Sequence, residues 1–302
     1  MIQTSLLGVQ FKVMLQKNEI ILITGSTGNV GLEVVKSAIA LGLPVVAGIR
    51  SNKDREKFTI LNVETRIIDF EKSNTFEEAL IGITRIFLLR PPSLSKVEKF
   101  IFPLLERAKK HKIKQVVFLS LLGAENNPIT PHRKIEKEIL RLDVPYTFLR
   151  PSFFMQNLST THLDEIKDEQ AINVPAGKGK TSFVDIRDIA SVAALSFTEN
   201  THLNQAYSLT GGEAFDYYQV AEIFTKVLGK DIVYKDPSIF RFYYRLKSRG
   251  FPFAQRAIMA VIYSTAKLGL ADRITEDIKR VLKREPITFE QFVTDNKNIW
   301  IK

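Results

Sequence analysis

Six short runs of aliphatic and β-branched residues punctuate the first half of the chain: EIILIT at 19–24, PVVAGI at 44–49, TRIID at 65–69, RIFLL at 85–89, KQVVFLS at 114–120 and YTFLR at 146–150. Between them lie segments with apolar residues at helical spacing, among them 30–41, 75–81, 95–111 and 130–141. Short apolar strands alternating with helices predict a parallel sheet covered on both faces, an α/β doubly wound (Rossmann) fold. After Pro151 the rhythm changes. A loop-rich stretch, PAGKGKTSF at 175–183, precedes a helix over 186–198, a short strand near AYSLT, and a mostly helical remainder from 216. The expected organisation is an N-terminal extension at 1–18, the sheet domain at 19–155, and returning strands with a smaller, mostly helical C-terminal lobe at 156–302.

Composition narrows the chemistry. The chain has 302 residues, 45% of them hydrophobic, enough to bury a substantial core. With no cysteine and only four histidines, at 111, 132, 162 and 202, neither thiolate chemistry nor a metal site is expected. No apolar run approaches the roughly 20 residues that span a bilayer, and the start of the chain does not read as a signal peptide, so a cytoplasmic protein with no membrane partner is expected. The net charge of +10 is concentrated in residues 226–284, which carry 14 Lys and Arg against 5 Asp and Glu. Without a groove-reading motif, that surplus suits an anionic small molecule better than nucleic acid.

The candidate site begins where the first of these strands hands over to a helix, in TGSTGNVG. Its glycines are spaced GxxGxxG, a looser form of the dinucleotide fingerprint. Each still has work in that position. Gly25 permits a sharp exit from the strand, Gly28 lets backbone approach a pyrophosphate, and Gly31 allows helix and strand to pack closely. Ser26, Thr27 and Asn29 can add side-chain hydrogen bonds, and the helix start through Val30 offers free N–H groups and partial positive charge. Arg50 follows the second strand, where an acidic residue would accept both ribose hydroxyls of NAD(H). An arginine there favours the 2′-phosphate of NADP(H), with Lys53 near enough to assist. Asp69 and Phe70 end the third strand, where they suit an adenine or an ordinary capping and packing role. Leu89 and Arg90 end the fourth, on the same ligand-binding edge.

These motifs, together with FLS at 118–120, VPYTFLRPSFFMQN at 144–157 and FVDIRDIA at 183–190, resemble the NmrA-like family of atypical short-chain dehydrogenase/reductases. The similarity runs over essentially all of the chain after residue 18. It implies an NADP(H)-binding Rossmann domain with a small substrate lobe, but not one function: relatives include quinone and dye reductases, isoflavone-type reductases, and regulators that bind the dinucleotide without turnover. The wider superfamily uses a serine with a YxxxK pair. Ser120 stands at the strand end, yet the following helix reads HRKIEKEIL, with His132 and Glu136 in the slots of that pair. His132 is the candidate proton donor, as a histidine can act near neutral pH without a lysine, though a lone histidine at a helix start is more often a surface or capping residue. Pro151 and Phe153 are expected against the nicotinamide, Phe154 and Met155 as an apolar substrate wall, and Asn157 as a polar orienting group; an aromatic core cluster where the two lobes meet is the alternative. The leading expectation is an NADPH-dependent reductase of a quinone or similar flat acceptor. A silent NADP(H) sensor acting through a protein partner is the alternative.

Overall fold

The computed structural model describes residues 2–6, 9–13 and 19–301. Its strands, in chain order, are β1 (Ile2–Leu6), β2 (Val9–Val13), β3 (Ile21–Ile23), β4 (Val45–Ile49), β5 (Glu64–Ile67), β6 (Arg85–Leu89), β7 (Gln115–Leu119), β8 (Tyr146–Pro151), β9 (Phe153–Phe154), β10 (Ala171–Asn173), β11 (Thr181–Val184), β12 (Gln205–Leu209), β13 (Ala214–Phe215) and β14 (Val233–Lys235). The helices used below are α1 (Asn29–Ala40), α2 (Pro131–Arg141), α3 (Ile186–Leu195), α4 (Ile239–Ser248) and α5 (Phe253–Lys267).

The chain divides into two compact units that interleave in sequence. The first comprises Met1–Pro151, Ile186–Leu209 and Asp277–Arg284, and the second Ser152–Asp185, Thr210–Glu276 and Glu285–Lys302. In the first unit seven strands form one sheet in the order β12-β8-β7-β6-β3-β4-β5, every pairing parallel. Pleating sends alternate residues to opposite faces. Leu22, Val46, Ile86, Leu88, Val116, Phe118 and Phe148 join one core with Leu104 and Leu105 of the helix Phe102–Lys110 and Ile135 and Ile139 of α2. On the other face, α1 packs against α3. Because both faces are covered, the inner strands β3, β4, β6, β7 and β8 read in sequence as nearly continuous apolar runs rather than as alternation, whereas the edge strands β5 and β12 are more polar. Chain order runs outward from β3 to β5, then crosses back to β6 on the other side of β3. Such a reversal opens a crevice at the carboxyl ends of the two central strands, β3 and β6.

One local expectation is revised. The helix expected over 95–111 is broken into Val97–Phe100 and Phe102–Lys110, with Pro103 in the first turn of the second piece, where its missing N–H costs least. Of residues 1–18, the stretch expected as an N-terminal extension, 1, 7–8 and 14–18 lie outside the described residues. Within it, β1 and β2 pair antiparallel, Ile2 opposite Val13 and Leu6 opposite Val9. The period-2 alternation of Ile2, Thr4, Leu6 and of Val9, Phe11, Val13 is the signal for this ladder.

The second unit holds a three-stranded sheet, β13-β11-β9, and a parallel pair, β10-β14. Its core gathers Tyr217, Phe224, Phe242, Tyr263, Phe289, Phe292 and Trp300. A buried polar cluster crosses it: Glu165 accepts from Arg249 at 2.6 Å and meets His162 Nδ1 at 3.2 Å, while His162 Nε2 meets the Tyr263 hydroxyl at 2.5 Å. Glu165 thereby ties its short helix to α4 and α5.

Candidate cofactor and active site

Gly25 leaves β3 at φ +64°, in the left-handed region where a side chain would be strained. Thr24 just before it is fully buried and unites the two central strands: its hydroxyl donates to Phe87 O at 3.0 Å and accepts from Leu89 N at 2.9 Å. Thr24 was not among the expected site residues, since a threonine ending a strand carries no pattern of its own. Gly31 sits so close to the turn that a Cβ there would lie 2.1 Å from Gly25 O. Gly28 is different. It is the N-cap of α1 with φ −88°, and a Cβ would meet only Gly25 O at 3.5 Å. No side chain caps α1, and no acidic residue stands in its first turn. The helix therefore presents unneutralised N–H groups and positive potential at the crevice, a cradle that suits a pyrophosphate.

Thr27, Gly28 and Asn29 are exposed on this turn and Val30 is buried beneath it. Ser26 turns the other way: fully buried, its hydroxyl donates to Gly48 O at 2.7 Å, fixing the turn to β4. The expected side-chain contact from Ser26 to a ligand is replaced by this structural bond. Arg50, at the end of β4, is exposed and makes no side-chain hydrogen bond or ion pair with another described residue. Asp69 is buried, accepts from Glu71 N at 3.1 Å and lies 3.7 Å from Lys72 Nζ, so its carboxylate already serves the turn. Phe70 belongs to the sheet core beside Phe76, at 6.4 Å between rings, which accounts for it as packing. Leu89 contacts the Gly25 turn, its Cδ2 being 3.1 Å from where a Gly25 Cβ would sit. Arg90 spends Nη1 on three backbone carbonyls, those of Pro91, Pro92 and Leu94, and burial lowers its pKa.

The serine and the helix behind it form a lock. Ser120 Oγ donates to Glu136 Oε1 at 2.7 Å, and the fully buried Glu136 also accepts from Arg133 at 3.0 Å and from Arg150 at 2.9 and 3.0 Å. Arg150 Nη1 reaches Glu125 at 3.2 Å. Desolvation would depress the Arg150 pKa, but the hydrogen bonds and charge of Glu136, with Glu125, hold it above its ordinary value. The Ser120 proton is therefore committed to a buried carboxylate.

His132 lies in the first turn of α2, ring to ring with Phe118 at 6.2 Å. Burial, with the positive charge of Arg90 as a second cause, lowers its pKa to about 4. At neutral pH the ring is uncharged, not the imidazolium expected of a proton donor working near pH 7. A depressed histidine pKa means that the unfolded chain binds the proton first, so stability falls as pH drops from about 6.5 toward 4. His132→Gln is expected to shrink that loss. Urea unfolding at pH 7.5 and 5 checks it, and an equal acid penalty in both proteins would remove the assignment.

The remaining expected residues divide between the units. Pro151 closes β8 in the first. Phe153, Phe154, Met155 and Asn157 lie in the second, where β9 runs parallel to β11 with Phe153 opposite Phe183. Met155 is buried in that unit's core, which makes it packing and not an open wall. Phe153 and Phe154 are half-buried and Asn157 is exposed. Gln156, not singled out in the sequence, donates to Asp185 at 2.8 Å.

A seven-stranded parallel sheet with a glycine-lined, uncapped helix start at its reversal point defines a dinucleotide-binding α/β protein. The family model described as NmrA-like matches residues 17–293, and the chain belongs to that family. An uncharacterized oxidoreductase YesF of Bacillus subtilis is 29% identical over 95% of this chain and 98% of its own. An NAD(P)H azoreductase of Xenophilus azovorans is 28% identical over 90% and 96%. Among solved structures, the NADPH complex of an Escherichia coli quinone oxidoreductase superposes with a TM-score of 0.83 at 24% identity, covering 92% of this chain and all of that one.

Proposed function

We propose that the chain is an NADPH-dependent oxidoreductase whose acceptor is a quinone or a similarly flat, conjugated ring system. The observation that carries the cofactor is the Gly25–Gly31 turn: open at Gly28, uncapped, and free of first-turn carboxylates. The backbone N–H groups at the start of α1 would hold the pyrophosphate, and Arg50, which makes no side-chain hydrogen bond or ion pair with another described residue, would pair with the 2′-phosphate. Bound NADPH supplies a hydride. The names of the relatives, an azoreductase and a quinone oxidoreductase among them, support conjugated acceptors.

The rest of the site supports an acceptor that needs little proton relay. Ser120 is tied to Glu136, and His132 is neutral, so neither is poised as a strong acid at neutral pH. Quinones and related dyes accept hydride through their own conjugation, and the protein mainly excludes water and holds the rings in line. Within the second unit, Phe153 and Phe154 have side chains that suit a flat ring, with Asn157 as a polar group near them in sequence. The same committed serine and neutral histidine favour the second reading, a dinucleotide sensor without turnover.

Purified protein is expected to oxidise NADPH in the presence of small quinones, to react poorly with simple ketones, and to prefer NADPH to NADH. Arg50→Ala is expected to erase the cofactor preference by removing a charge-assisted contact of about 1.5 to 3 kcal/mol. Tight NADPH binding with no turnover across a panel of quinones and dyes would overturn the enzyme reading and leave the sensor. Equal affinity for both cofactors would overturn the role of Arg50.

A further inference from the structure

From Pro237 to Ala271 the chain runs 35 residues without one Asp or Glu while carrying six Lys and Arg. This stretch builds α4 and α5, and its outward side is apolar. Phe240 is 75% exposed, Tyr244 65%, Phe253 70%, Val261 63% and Leu268 72%, with Ile258 half-exposed between them. On α5 the exposed positions 254, 258 and 261 repeat at helical spacing, while Tyr263 and Ala266 face the second unit's core. A helix apolar on both sides, one of them open to solvent, lacks a partner on that side.

The two helices share this surface. Tyr243 meets Phe253 at 6.4 Å, and the Arg256 guanidinium lies over the Tyr243 ring at 4.6 Å. Arg245 and Arg249 are neutralised by carboxylates from outside the stretch, the buried Glu165 and the exposed Glu169 and Asp164. Arg241, Lys247 and Lys267 are exposed on the same stretch. The surface thus offers aromatic and aliphatic side chains for insertion, flanked by cations, with no carboxylate in the stretch to repel anions.

We propose that the α4–α5 face docks on an anionic phospholipid surface. Charge complementarity chooses this occupant over a second copy of the chain, since two such faces would bring the unpaired Arg241, Lys247 and Lys267 of each copy against those of the other. Exposed aromatics seated at the acyl boundary with lysines and arginines among the headgroups is the arrangement of interfacial amphipathic helices. The contact is peripheral: no helix among the described residues is long and apolar enough to cross a membrane. It stands independently of which acceptor the site reduces.

Flotation of the full chain with phosphatidylcholine vesicles, with and without phosphatidylglycerol, tests this. Partition is expected to be at least about tenfold stronger with the anionic lipid, as a few basic residues near such a surface provide. The paired change Phe240→Ser and Phe253→Ser, at exposed positions, is expected to abolish it, and Arg241→Gln with Lys247→Gln and Lys267→Gln to weaken it about tenfold. Melting temperature and NADPH affinity should be unaltered in both variants. Absence of vesicle binding, or binding insensitive to both variants, overturns the proposal. A dimer that the serine variant dissociates, in a protein indifferent to vesicles, assigns the face to a second copy and overturns it equally.

Discussion

Gly31→Ala is expected to cost about 3 kcal/mol of stability, while Gly28→Ala, three residues earlier, should cost under about 1 kcal/mol and instead weaken NADPH binding by at least about tenfold. A methyl at position 31 would lie 2.1 Å from Gly25 O, 2.6 Å from Gly25 C and 2.9 Å from Ser26 Cα. All three are backbone atoms of a turn pinned by Ser26 to Gly48 O, so the turn cannot yield without breaking that bond. Position 28 imposes no such demand. Its φ of −88° is open to alanine, and the nearest atom to the added methyl is 3.5 Å away. Nothing among the described residues requires glycine there, which leaves the space for a ligand as the expected reason. Thermal melts and NADPH titration of the two variants separate packing from binding. If Gly28→Ala bound NADPH as well as the parent, the pyrophosphate would have to lie elsewhere.

Glu136→Ala is expected to be more damaging still to stability, at about 3 to 5 kcal/mol, the range for removing one partner of a buried ion pair. The carboxylate is fully buried among Arg133, Arg150 and the Ser120 hydroxyl, and its loss strands a largely sequestered guanidinium. Glu125 compensates only in part, since it reaches Arg150 through Nη1 alone. Glu136→Gln keeps an acceptor for Ser120 but not the charge, and should fall between alanine and the parent. Urea denaturation measures both, and a loss below about 1 kcal/mol for alanine would show that the arginines find other partners or water.

The part of this fold that reads directly from sequence is the part buried on both sides. β3, β4, β6, β7 and β8 are apolar at nearly every position because helices cover both faces, and their rhythm with the helices between them implies the parallel order. β9, β10, β13 and β14 have two or three residues each, too few to show a period, and pair only because tertiary packing brings them together. The glycine turn is equally legible, since steric demand is written in residue type. Ser26 is not: whether a turn hydroxyl faces a ligand or a neighbouring strand depends on where Gly48 lies, which no local pattern states. The Ser120–Glu136–Arg150 lock is hidden for the same reason. Its members come from the end of β7, the middle of α2 and the end of β8, and only pairing of β7 with β8 assembles them. Met155 and Phe70 show the converse, apolar residues beside a motif that the core claims first.

The interleaving of the two units bears on how the protein is made. As the chain emerges during synthesis, β8 is complete at Pro151, but the strand that covers its outer edge, β12, ends only at Leu209. The residues produced first in that interval, Ser152–Asp185, belong to the other unit. A nascent sheet of six strands therefore waits with one apolar edge open, a template for pairing with another chain, while material for a different core is being added. Neither unit is finished before Arg284 has been added, so folding on the ribosome must proceed on both at once, and excising either as a contiguous fragment would leave an edge unpaired.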